Sequence, residues 1–345
     1  MKNVLVTGGA GFIGSHLVDH LLTLSDVEVV VCYDATTYAG SRWNVFDAFK
    51  DPRFTFIDGN ICDKHRFLEA LRRFGIDTVF NLAAETHVDR SIAGPSTFVQ
   101  TNVVGTLAVL ESIHVHTSDG RPCRLIHVST DEVYGTLEVG SFNENSTIQP
   151  NSPYAASKAG GDHLVRAYNV TYGLDTVTTH CSNNYGPRQF PEKLIPLAIS
   201  RAASMLPIPM YGDGQQVRDW IHVSDHCAAL VQAALNAPSG STYNIGGNCE
   251  LTNKSVLSTI CGVLDQLRPQ PSPYSRLIAS VPDRPGHDRR YSVDTSKISA
   301  DMRWMPQMKF EEGIASTVLW YLSHPRWLLE VSKPAADART RSIYQ

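Results

Sequence analysis

Two adjacent carboxylates, Asp131 and Glu132, are placed where they could act as an acid and a base. They follow the apolar run 125–128, which reads as a strand, so they stand at its carboxyl end. If one of two neighbouring carboxyl groups is held neutral, it can donate a proton while its ionised neighbour accepts one. Taken alone, the segment fits ordinary turn acids before Gly135 about equally well. The pair therefore indicates acid and base chemistry only beside a cofactor or substrate site.

Tyr154 and Lys158 form a second candidate pair. Ser152 and Pro153 precede them and are typical of the N-cap and first position of a helix, on which residues four apart share a face. A nearby ammonium and a positive nicotinamide ring favour the phenolate form of a tyrosine. Tyr154 could then take a hydroxyl proton as hydride leaves the same carbon. Such pairs are also common on solvated helix faces, so this interpretation depends on a dinucleotide site.

A glycine loop near the N-terminus predicts that dinucleotide site. The strand-like run 4–7 leads into glycines at 8, 11 and 14, and a helical run follows. Gly8 permits a tight turn, Gly11 lets backbone N–H groups approach a pyrophosphate, and Gly14 lets the helix pack close to the strand. Because strand and helix are both readable, the motif favours dinucleotide binding over a plain turn.

Asp34 points to NAD as the dinucleotide. It ends the second predicted strand about twenty residues beyond Gly14, where a carboxylate binds the adenosine ribose hydroxyls and repels a 2′-phosphate. Asp58 and Asp63 compete as turn acids, and Asp34 itself could be a strand-end cap. The spacing favours Asp34 and hence NAD over NADP.

The elements that must position these residues alternate strictly through the first half of the chain. The predicted strands are 3–7, 28–33, 54–57, 78–82, 124–130 and 176–181, and the predicted helices lie near 13–24, 64–74, 95–117 and 152–172. Strand and helix in turn predict a parallel sheet with helices on both faces. We therefore expect an α/β fold with a Rossmann-type doubly wound parallel sheet.

The pattern changes after Tyr185, where prolines crowd together and the alternation is lost. We expect residues 1–182 to form the NAD-binding Rossmann domain, with later segments near 215–246 returning to it. Residues 183–345 would mainly form a smaller mixed α/β lobe. That lobe would bind a nucleotide sugar over the carboxyl ends of the strands, where ligands of open α/β sheets bind.

Composition excludes several classes of function. The 345 residues include 30 basic and 34 acidic ones without long blocks of one sign, which argues against a nucleic-acid partner. No apolar stretch has membrane-spanning length and residues 1–7 have no leader pattern, so we expect no membrane partner and a cytoplasmic location. His114 and His116 are the nearest thing to a metal cluster, but read better as surface histidines, so no metal is expected.

The sequence resembles the dTDP-glucose 4,6-dehydratases of the extended short-chain dehydrogenase/reductase superfamily nearly end to end. The motifs that carry the resemblance are residues 7–14, 37–40, 86–92, 129–135, 154–158, 181–187, 190–196, 218–220, 244–247 and 283–290. Together they are highly specific. The resemblance implies a hydro-lyase of deoxysugar biosynthesis that acts on dTDP-glucose.

The resemblance implies three chemical steps around one tightly bound NAD that is regenerated in every turnover. Tyr154, assisted by Lys158 and Thr130, takes the proton of the C4 hydroxyl while the C4 hydride passes to NAD. Glu132 then removes the C5 proton and Asp131 protonates the departing C6 hydroxyl, so that water is eliminated. NADH finally returns the hydride to C6, and a proton is restored at C5.

The resemblance also assigns binding residues. The NAD-binding set is Gly8, Gly11, Phe12, Ile13, Gly14, Asp34, Ala35, Thr36, Thr37, Asn60, Ile61, Leu82, Ala83, Ala84, Thr101, Tyr154 and Lys158. The substrate-binding set is Thr86, Thr130, Asn183, Lys193, Leu194, Pro209, Met210, Tyr211, Arg218, Asn253, Asp283, Arg284, Pro285, Gly286 and His287.

The chain departs from the family at a few of these positions. Ala35 and Thr36 stand where the family usually has Lys-Leu, and Asn60 stands where an adenine-contacting aspartate is typical. Thr86 replaces a common serine but keeps the hydroxyl. NAD affinity could therefore differ from the family's, while the chemical steps are untouched.

Other functions remain open from the sequence. UDP- or GDP-sugar 4,6-dehydratases are the nearest rivals, because the nucleotide base is the least certain part of the interpretation. Nucleotide-sugar 4-epimerases share the glycine loop and the Tyr/Lys pair but need no adjacent acid and base. A non-catalytic NAD-binding regulator could lose its catalytic residues, yet all are present. Apolar runs at 98–113 and 154–168, which relatives pair across a dimer axis, predict a homodimer.

Overall fold

The computed structural model describes residues 1–283 and 288–332. In chain order its strands are β1 (Asn3–Thr7), β2 (Val29–Asp34), β3 (Phe54–Asp58), β4 (Thr78–Asn81), β5 (Arg124–Thr130), β6 (Thr176–Cys181), β7 (Asn183–Tyr185), β8 (Ile208–Tyr211), β9 (Val217–His222), β10 (Thr242–Ile245), β11 (Glu250–Thr252) and β12 (Ile278–Val281). Its α-helices are α1 (Phe12–Thr23), α2 (Lys64–Phe74), α3 (Val88–Ala93), α4 (Pro95–Val99), α5 (Thr106–Ser118), α6 (Pro153–Tyr172), α7 (Leu194–Ala203), α8 (Val223–Asn236), α9 (Asn253–Leu267), α10 (Ser296–Met302), α11 (Phe310–Ser323) and α12 (Pro325–Ser332).

A seven-stranded sheet organises the molecule. Its strand order is β10-β6-β5-β4-β1-β2-β3, and every adjacent pair is parallel. Parallel strands need helical crossovers on both faces, and the near-continuous apolar character of β1 and β5 follows from burial on both sides. The predicted Rossmann-type parallel sheet is confirmed. The order reverses between β1 and β4, which is where open α/β sheets bind ligands.

Local sequence signals explain where the crossover helix α2 begins and ends. The side chain of Asp63 accepts a hydrogen bond from the backbone N–H of Arg66 and so caps the N-terminus. Gly75 ends the helix in the left-handed conformation, with φ of 57°. Phe67 and Leu71 lie one turn apart on its buried face and pack into the core under β1 and β4.

The predicted helix at 95–117 is interrupted. Between α4 and α5, residues Gln100–Gly105 form a π-helical stretch. Within it Asn102 accepts a hydrogen bond of 2.9 Å from the backbone N–H of Glu85 and donates one of 2.9 Å to the hydroxyl of Ser157. The wider turn thus ties α6 to the segment that follows β4. Apolar spacing alone does not distinguish such a stretch from regular helix.

The interpretation of His116 as a surface histidine was wrong. Its side chain is fully buried, and Nε2 lies 3.0 Å from the carbonyl oxygen of Ile76. Burial lowers the pKa of His116 and favours the neutral ring. The reason is that α5 packs against α2, so this face of the helix is internal.

A second core lies beyond Tyr185. It joins α7, α9 and α11 through residues such as Ile199, Leu257 and Ile314, and packs beside a small sheet of order β11-β9-β7 and the parallel pair β12-β8. Between α7 and α9 the chain returns to the main sheet, where α8 packs against α1 and β10 pairs with β6. Across residues 1–283 and 288–332, no helix has both the length and the apolar character that a membrane crossing requires.

Candidate active site

A cavity of about 320 Å³ opens at the carboxyl ends of β1, β4 and β5, and its size is in the range of small-ligand sites. It brings together nearly all of the predicted NAD-binding set. The lining members are Gly8, Gly11, Phe12, Ile13, Gly14, Asp34, Ala35, Thr37, Asn60, Ile61, Leu82, Ala83, Ala84, Thr101, Tyr154 and Lys158.

The glycine loop has the geometry that its sequence predicts. Gly8 has a φ of 66°, which side chains other than glycine rarely adopt. A Cβ atom on Gly14 would come within 2.2 Å of the carbonyl oxygen of Gly8, so only glycine lets α1 start this close to β1. The N-terminus of α1 therefore faces the cavity with unsatisfied backbone N–H groups, as anion-binding helix ends do.

Asp34 is held at the cavity by two backbone donors. Its Oδ2 accepts a hydrogen bond of 2.8 Å from the N–H of Ala10, and its Oδ1 accepts one of 2.7 Å from the N–H of Thr36. Burial raises the pKa of Asp34, and these two bonds oppose that rise. A carboxylate has about four acceptor positions, so it keeps capacity for hydroxyl donors.

Thr36 is the predicted cofactor residue that does not line the cavity. It adopts a positive φ of 44°, and its amide donates to Asp34. The backbone turn directs this amide towards Asp34, so Thr36 holds the carboxylate in position and does not itself line the cavity. Its neighbours Ala35 and Thr37 both line the cavity.

Tyr154 and Lys158 lie on the buried face of α6. The Ser152 hydroxyl accepts from the N–H of Ala155 and caps the helix as predicted, which fixes both residues in its first turns. Lys158 Nζ donates a hydrogen bond of 2.8 Å to the carbonyl oxygen of Val128 on β5. The pair is thus anchored to the same strand that leads to the two carboxylates.

The protonation of this pair is governed by burial. Burial, with the charge of Glu132 next, raises the pKa of Tyr154 well above its usual value, and a hydrogen bond with Thr130 opposes this. Burial lowers the pKa of Lys158, while Asp162 and Cys181 favour the ammonium. Tyr154 is therefore a neutral phenol unless a further positive charge reaches the site.

Asp131 and Glu132 occupy a short 3₁₀ turn, Asp131–Tyr134, directly after β5. The hydroxyl of Thr130 accepts from the N–H of Glu132 at 3.3 Å and starts the turn. Burial, then the charges of Glu132 and Asp219, raises the pKa of Asp131 well above its usual value. The turn thus places a carboxyl whose neutral form is favoured by burial beside a second carboxyl, in the cavity that Tyr154 also lines.

Arg218 is buried on β9 behind Asp131. Its guanidinium lies 4.3 Å from the ring centre of Tyr291 and donates a hydrogen bond of 2.9 Å to the carbonyl oxygen of Asp288. Its charge lowers the pKa of Asp131 but does not outweigh burial. Arg218 is not part of the cavity lining.

The predicted substrate-binding set divides into three groups. Thr86, Thr130, Asn183 and Lys193 line the cavity, and Lys193 Nζ donates a hydrogen bond of 3.1 Å to the carbonyl oxygen of Thr86. The members that lie in the described residues but outside the lining are Leu194, Pro209, Met210, Tyr211, Arg218, Asn253 and Asp283. Arg284, Pro285, Gly286 and His287 lie outside the described residues.

The lining also includes side chains for which no role was predicted from the sequence. Tyr38, Glu85, Cys181, Phe190 and Glu192 belong to this group. The rings of Tyr38 and Phe190 meet edge to face with centres 5.7 Å apart, so residues far apart in sequence close one wall. Tyr38 and Phe190 could have been found from the sequence because they lie in the motifs 37–40 and 190–196. Those motifs supported the resemblance, but no role was assigned to these two residues.

Comparison with known proteins shows which family the chain resembles. The family model described as GDP-mannose 4,6 dehydratase matches residues 5–317. The dTDP-glucose 4,6-dehydratase of Xanthomonas campestris pv. campestris (strain B100) is 51% identical over 336 residues, 95% of either chain. That numbered 1 in Escherichia coli (strain K12) is 45% identical over 99% of either chain.

Solved structures that superpose on the chain include a dehydratase and an epimerase. The dTDP-glucose 4,6-dehydratase of Streptomyces venezuelae, crystallised with NAD and TYD bound, superposes with a TM-score of 0.89 at 45% identity and covers 96% of this chain and 100% of its own. A UDP-glucose 4-epimerase of Thermotoga maritima superposes with a TM-score of 0.83 at 27% identity and covers 93% of this chain and 99% of its own.

Proposed function

The chain belongs to the dTDP-glucose 4,6-dehydratases, and on this premise we propose that its adjacent carboxylates and its Tyr/Lys pair carry out the dehydration. The protein is an NAD-dependent hydro-lyase of deoxysugar biosynthesis. It oxidises dTDP-glucose at C4, eliminates water across C5 and C6, and then adds hydride at C6 and a proton at C5, which gives dTDP-4-keto-6-deoxyglucose. NAD, when bound, takes the hydride from C4 and later returns it to C6.

The residues of the cavity fit a dinucleotide. A Cβ on Gly8 would meet the backbone of Ala83 at 2.8 Å and one on Gly14 would meet the carbonyl oxygen of Gly8 at 2.2 Å, so these glycines let the loop and α1 pack closely. The end of α1 then supplies N–H donors for a pyrophosphate. Asp34 retains acceptor capacity for ribose hydroxyls. We expect a tight complex, since the cofactor must stay in place between the two hydride transfers.

Tyr154 is the proposed base of the first step. As a phenolate it removes the proton of the C4 hydroxyl, and Lys158 stabilises that phenolate with its ammonium. Thr130 supports the same phenol through its hydrogen bond. Because burial raises the pKa of Tyr154, the step requires the positive charge of the oxidised cofactor as well as Lys158.

The observation that carries the proposal is the contrast between Asp131 and Glu132. Asp131 is 3% exposed and has a raised pKa, so it keeps a proton that it can give to the C6 hydroxyl. Glu132 is only partly buried in the same turn and removes the C5 proton, which the C4 ketone has made acidic. Acid and base one residue apart suit elimination across adjacent carbons.

The proposed contacts to the nucleotide part of the substrate come from the cavity wall, from β9 and from the resemblance. Lys193 and Asn183 line the cavity wall and are proposed to bind the substrate there. Arg218 on strand β9 is a buried cation that is proposed to bind the phosphates. Pro209, Met210, Tyr211, Asn253, Asp283 and the run 284–287 are proposed nucleotide contacts on the resemblance alone, as is Leu194.

Assays of three substrates test the proposal against its rivals. Purified protein is incubated with dTDP-glucose, UDP-glucose or GDP-mannose, and the 4-keto product is followed by its absorbance in alkali. We expect dTDP-glucose to give the highest kcat/KM. Preference for UDP-glucose or GDP-mannose would reassign the base, a 4-epimer without loss of water would favour an epimerase, and no product from any substrate would leave a non-catalytic NAD-binding regulator.

We also propose a homodimer. Val99, Val104, Val170 and Tyr172 are exposed apolar side chains on the helical layer that contains α4, the π-helical stretch and α6. Light scattering is expected to give twice the chain mass. Val104→Glu is expected to weaken the dimer, whereas Val139→Glu, at a loop position that is 86% exposed, should leave it intact. A monomeric parent protein contradicts the proposal.

We also propose that the protein is located in the cytoplasm. The seven cysteines are free in the structure, five of them buried, which suits a reducing compartment. Fractionation of cells that express the protein would test it, and recovery outside the cytoplasmic fraction would contradict it.

A further inference from the structure

A buried charged cluster lies on the far side of Lys158 from the reacting groups. Asp162 is on α6, one turn beyond Lys158 and two beyond Tyr154, so all three share a face of the helix. The Ser129 hydroxyl donates a hydrogen bond of 2.9 Å to Asp162 Oδ2, and His180 Nε2 lies 3.2 Å from the same oxygen. His127 Nε2 lies 3.2 Å from Oδ1, without the alignment of a full hydrogen bond.

The proton positions on His127 follow from its neighbours. The hydroxyl of Thr7 accepts from the backbone N–H groups of Leu82 and Ala83, so its own hydrogen goes to Oδ1 of Asn81 at 2.7 Å. That orients the Asn81 amide so that Nδ2 donates to His127 Nδ1 at 3.1 Å. His127 therefore carries its hydrogen on Nε2, which faces Asp162, and the ring is neutral.

His180 has hydrogen-bond partners that require a different protonation state from that of His127. The Nδ2 group of Asn244 donates to the carbonyl oxygen of Phe142, so Asn244 Oδ1 is the acceptor of the Tyr134 hydroxyl at 2.9 Å. His180 Nδ1, 2.7 Å from that hydroxyl oxygen, must then donate to it. His180 Nε2 faces the carboxylate of Asp162 and must donate as well, so His180 is a buried imidazolium.

The cluster thus contains an ionised carboxylate between two cations. Burial opposes the charge of Asp162, but its close contacts with His127 and His180 outweigh burial and hold the pKa of Asp162 well below its usual range. Lys158 faces Asp162 on its own helix, Cys181 on β6 and the carbonyl of Val128 on β5. Asp162 is the foremost group that offsets the effect of burial on the ammonium of Lys158.

We propose that Asp162 is a positioning residue for the reaction, which keeps the buried Lys158 charged, and that the imidazolium of His180 keeps Asp162 ionised. Asp162 is not part of the cavity lining. It acts through Lys158, whose ammonium in turn favours the phenolate of Tyr154. The inference rests on the proposed roles of Tyr154 and Lys158.

The pH profile of kcat for Asp162→Asn tests this inference. Without the carboxylate, the pKa of Lys158 falls, so the alkaline limb of the profile should move to lower pH by ~1 unit or more. Each unit increases the ratio of free amine to ammonium about tenfold, so activity is lost on the alkaline side and kept near the acid side of the optimum. A merely structural role would lower kcat at every pH and leave the limb in place, which would overturn the inference.

His180→Gln provides a second test and stands in if Asp162→Asn fails to fold. Without the imidazolium, Asp162 is no longer held ionised and supports the ammonium of Lys158 less, so the alkaline limb should move to lower pH, as in Asp162→Asn. No movement, or movement to higher pH, would overturn the inference. The fraction of bound NAD should match the wild type in both variants. It is measured on the purified proteins as the ratio of nucleotide absorbance to protein absorbance.

Lys158→Ala separates the inference from the proposed function. It should remove the alkaline limb, because the titrating group is gone. If the limb persists, Lys158 does not have the proposed role and the assignment of the site fails. If the limb is lost in Lys158→Ala but does not move in Asp162→Asn, the assignment stands and the inference about Asp162 is wrong.

Discussion

Thr130 donates a hydrogen bond of 3.3 Å to Oδ1 of Asp131, while the other oxygen of that carboxyl, Oδ2, is buried without a partner among the described residues. An ionised carboxylate with an unpaired buried oxygen is strongly disfavoured. A protonated one has a hydrogen to offer to a substrate oxygen. The unpaired atom is therefore the expected place of the catalytic proton.

Asp131→Asn is expected to stop the elimination of water and spare the oxidation at C4. The amide keeps the shape of the side chain but cannot give a proton to the departing hydroxyl, which costs about 10²- to 10⁴-fold in kcat. NADH should accumulate on the enzyme after dTDP-glucose is added, visible as its near-ultraviolet absorbance. A variant that forms the 4-keto-6-deoxy product at the wild-type rate would remove Asp131 from the mechanism.

The same substitution is expected to stabilise the fold near neutral pH. The pKa of Asp131 is raised in the folded state, so its contribution to stability is present below the unfolded pKa and is lost as pH rises towards the folded pKa. Asparagine has no such loss. Thermal unfolding should show Asp131→Asn more stable by roughly 1 kcal/mol near neutral pH, with the difference vanishing in mild acid. An equal or lower unfolding temperature at neutral pH would argue that Asp131 is ionised in the folded protein.

Glu132→Gln is expected to abolish product while NAD remains bound. Glutamine cannot remove the C5 proton, and Glu132 stands outside the glycine loop that would hold the cofactor. Steady-state turnover and the absorbance ratio of the purified protein measure the two effects. Glu138→Gln, at an exposed position in the following loop, is the matched control and should keep full activity. Full activity in Glu132→Gln refutes its role as base.

Gly14→Ala is expected to lose NAD and to destabilise the fold. The new Cβ would meet the backbone of Gly8 at 2.2 Å, and backbone cannot move aside as a flexible side chain can. Gly262→Ala is the control, because that glycine lies on helix α9 with nothing within 4 Å of its Cβ position and should gain roughly 0.5–1 kcal/mol from helix propensity. Bound NAD and unfolding temperature distinguish the two, and equal NAD content in both variants contradicts the close-packing argument.

The main sheet could be predicted from sequence to a large extent. The observed α2, β5 and β6 coincide with the expected ranges 64–74, 124–130 and 176–181, because each has a clear apolar period and a recognisable boundary. The π-helical stretch and the burial of His116 could not be predicted. Both depend on which helices pack side by side, and the sequence of one helix does not contain that information.

The site divides in the same way. Residues of the glycine loop and of the first turns of α6 have positions fixed by local structure, so sequence spacing was enough to group them. The Tyr38 and Phe190 contact and the Asp162 cluster join segments far apart along the chain. Their side chains have no local period, and only the assembled sheet shows that they meet.

The return of β10 to the main sheet has a consequence for how the protein is made. β1 to β6 are complete once residue 181 has been synthesised, but the edge of β6 that faces away from β5 stays open until residues Thr242–Ile245 have emerged. Open strand edges invite pairing with other chains. A nascent chain halted between these points should therefore recruit chaperones or aggregate more readily than the full-length chain, which pulldown from stalled ribosomes would measure.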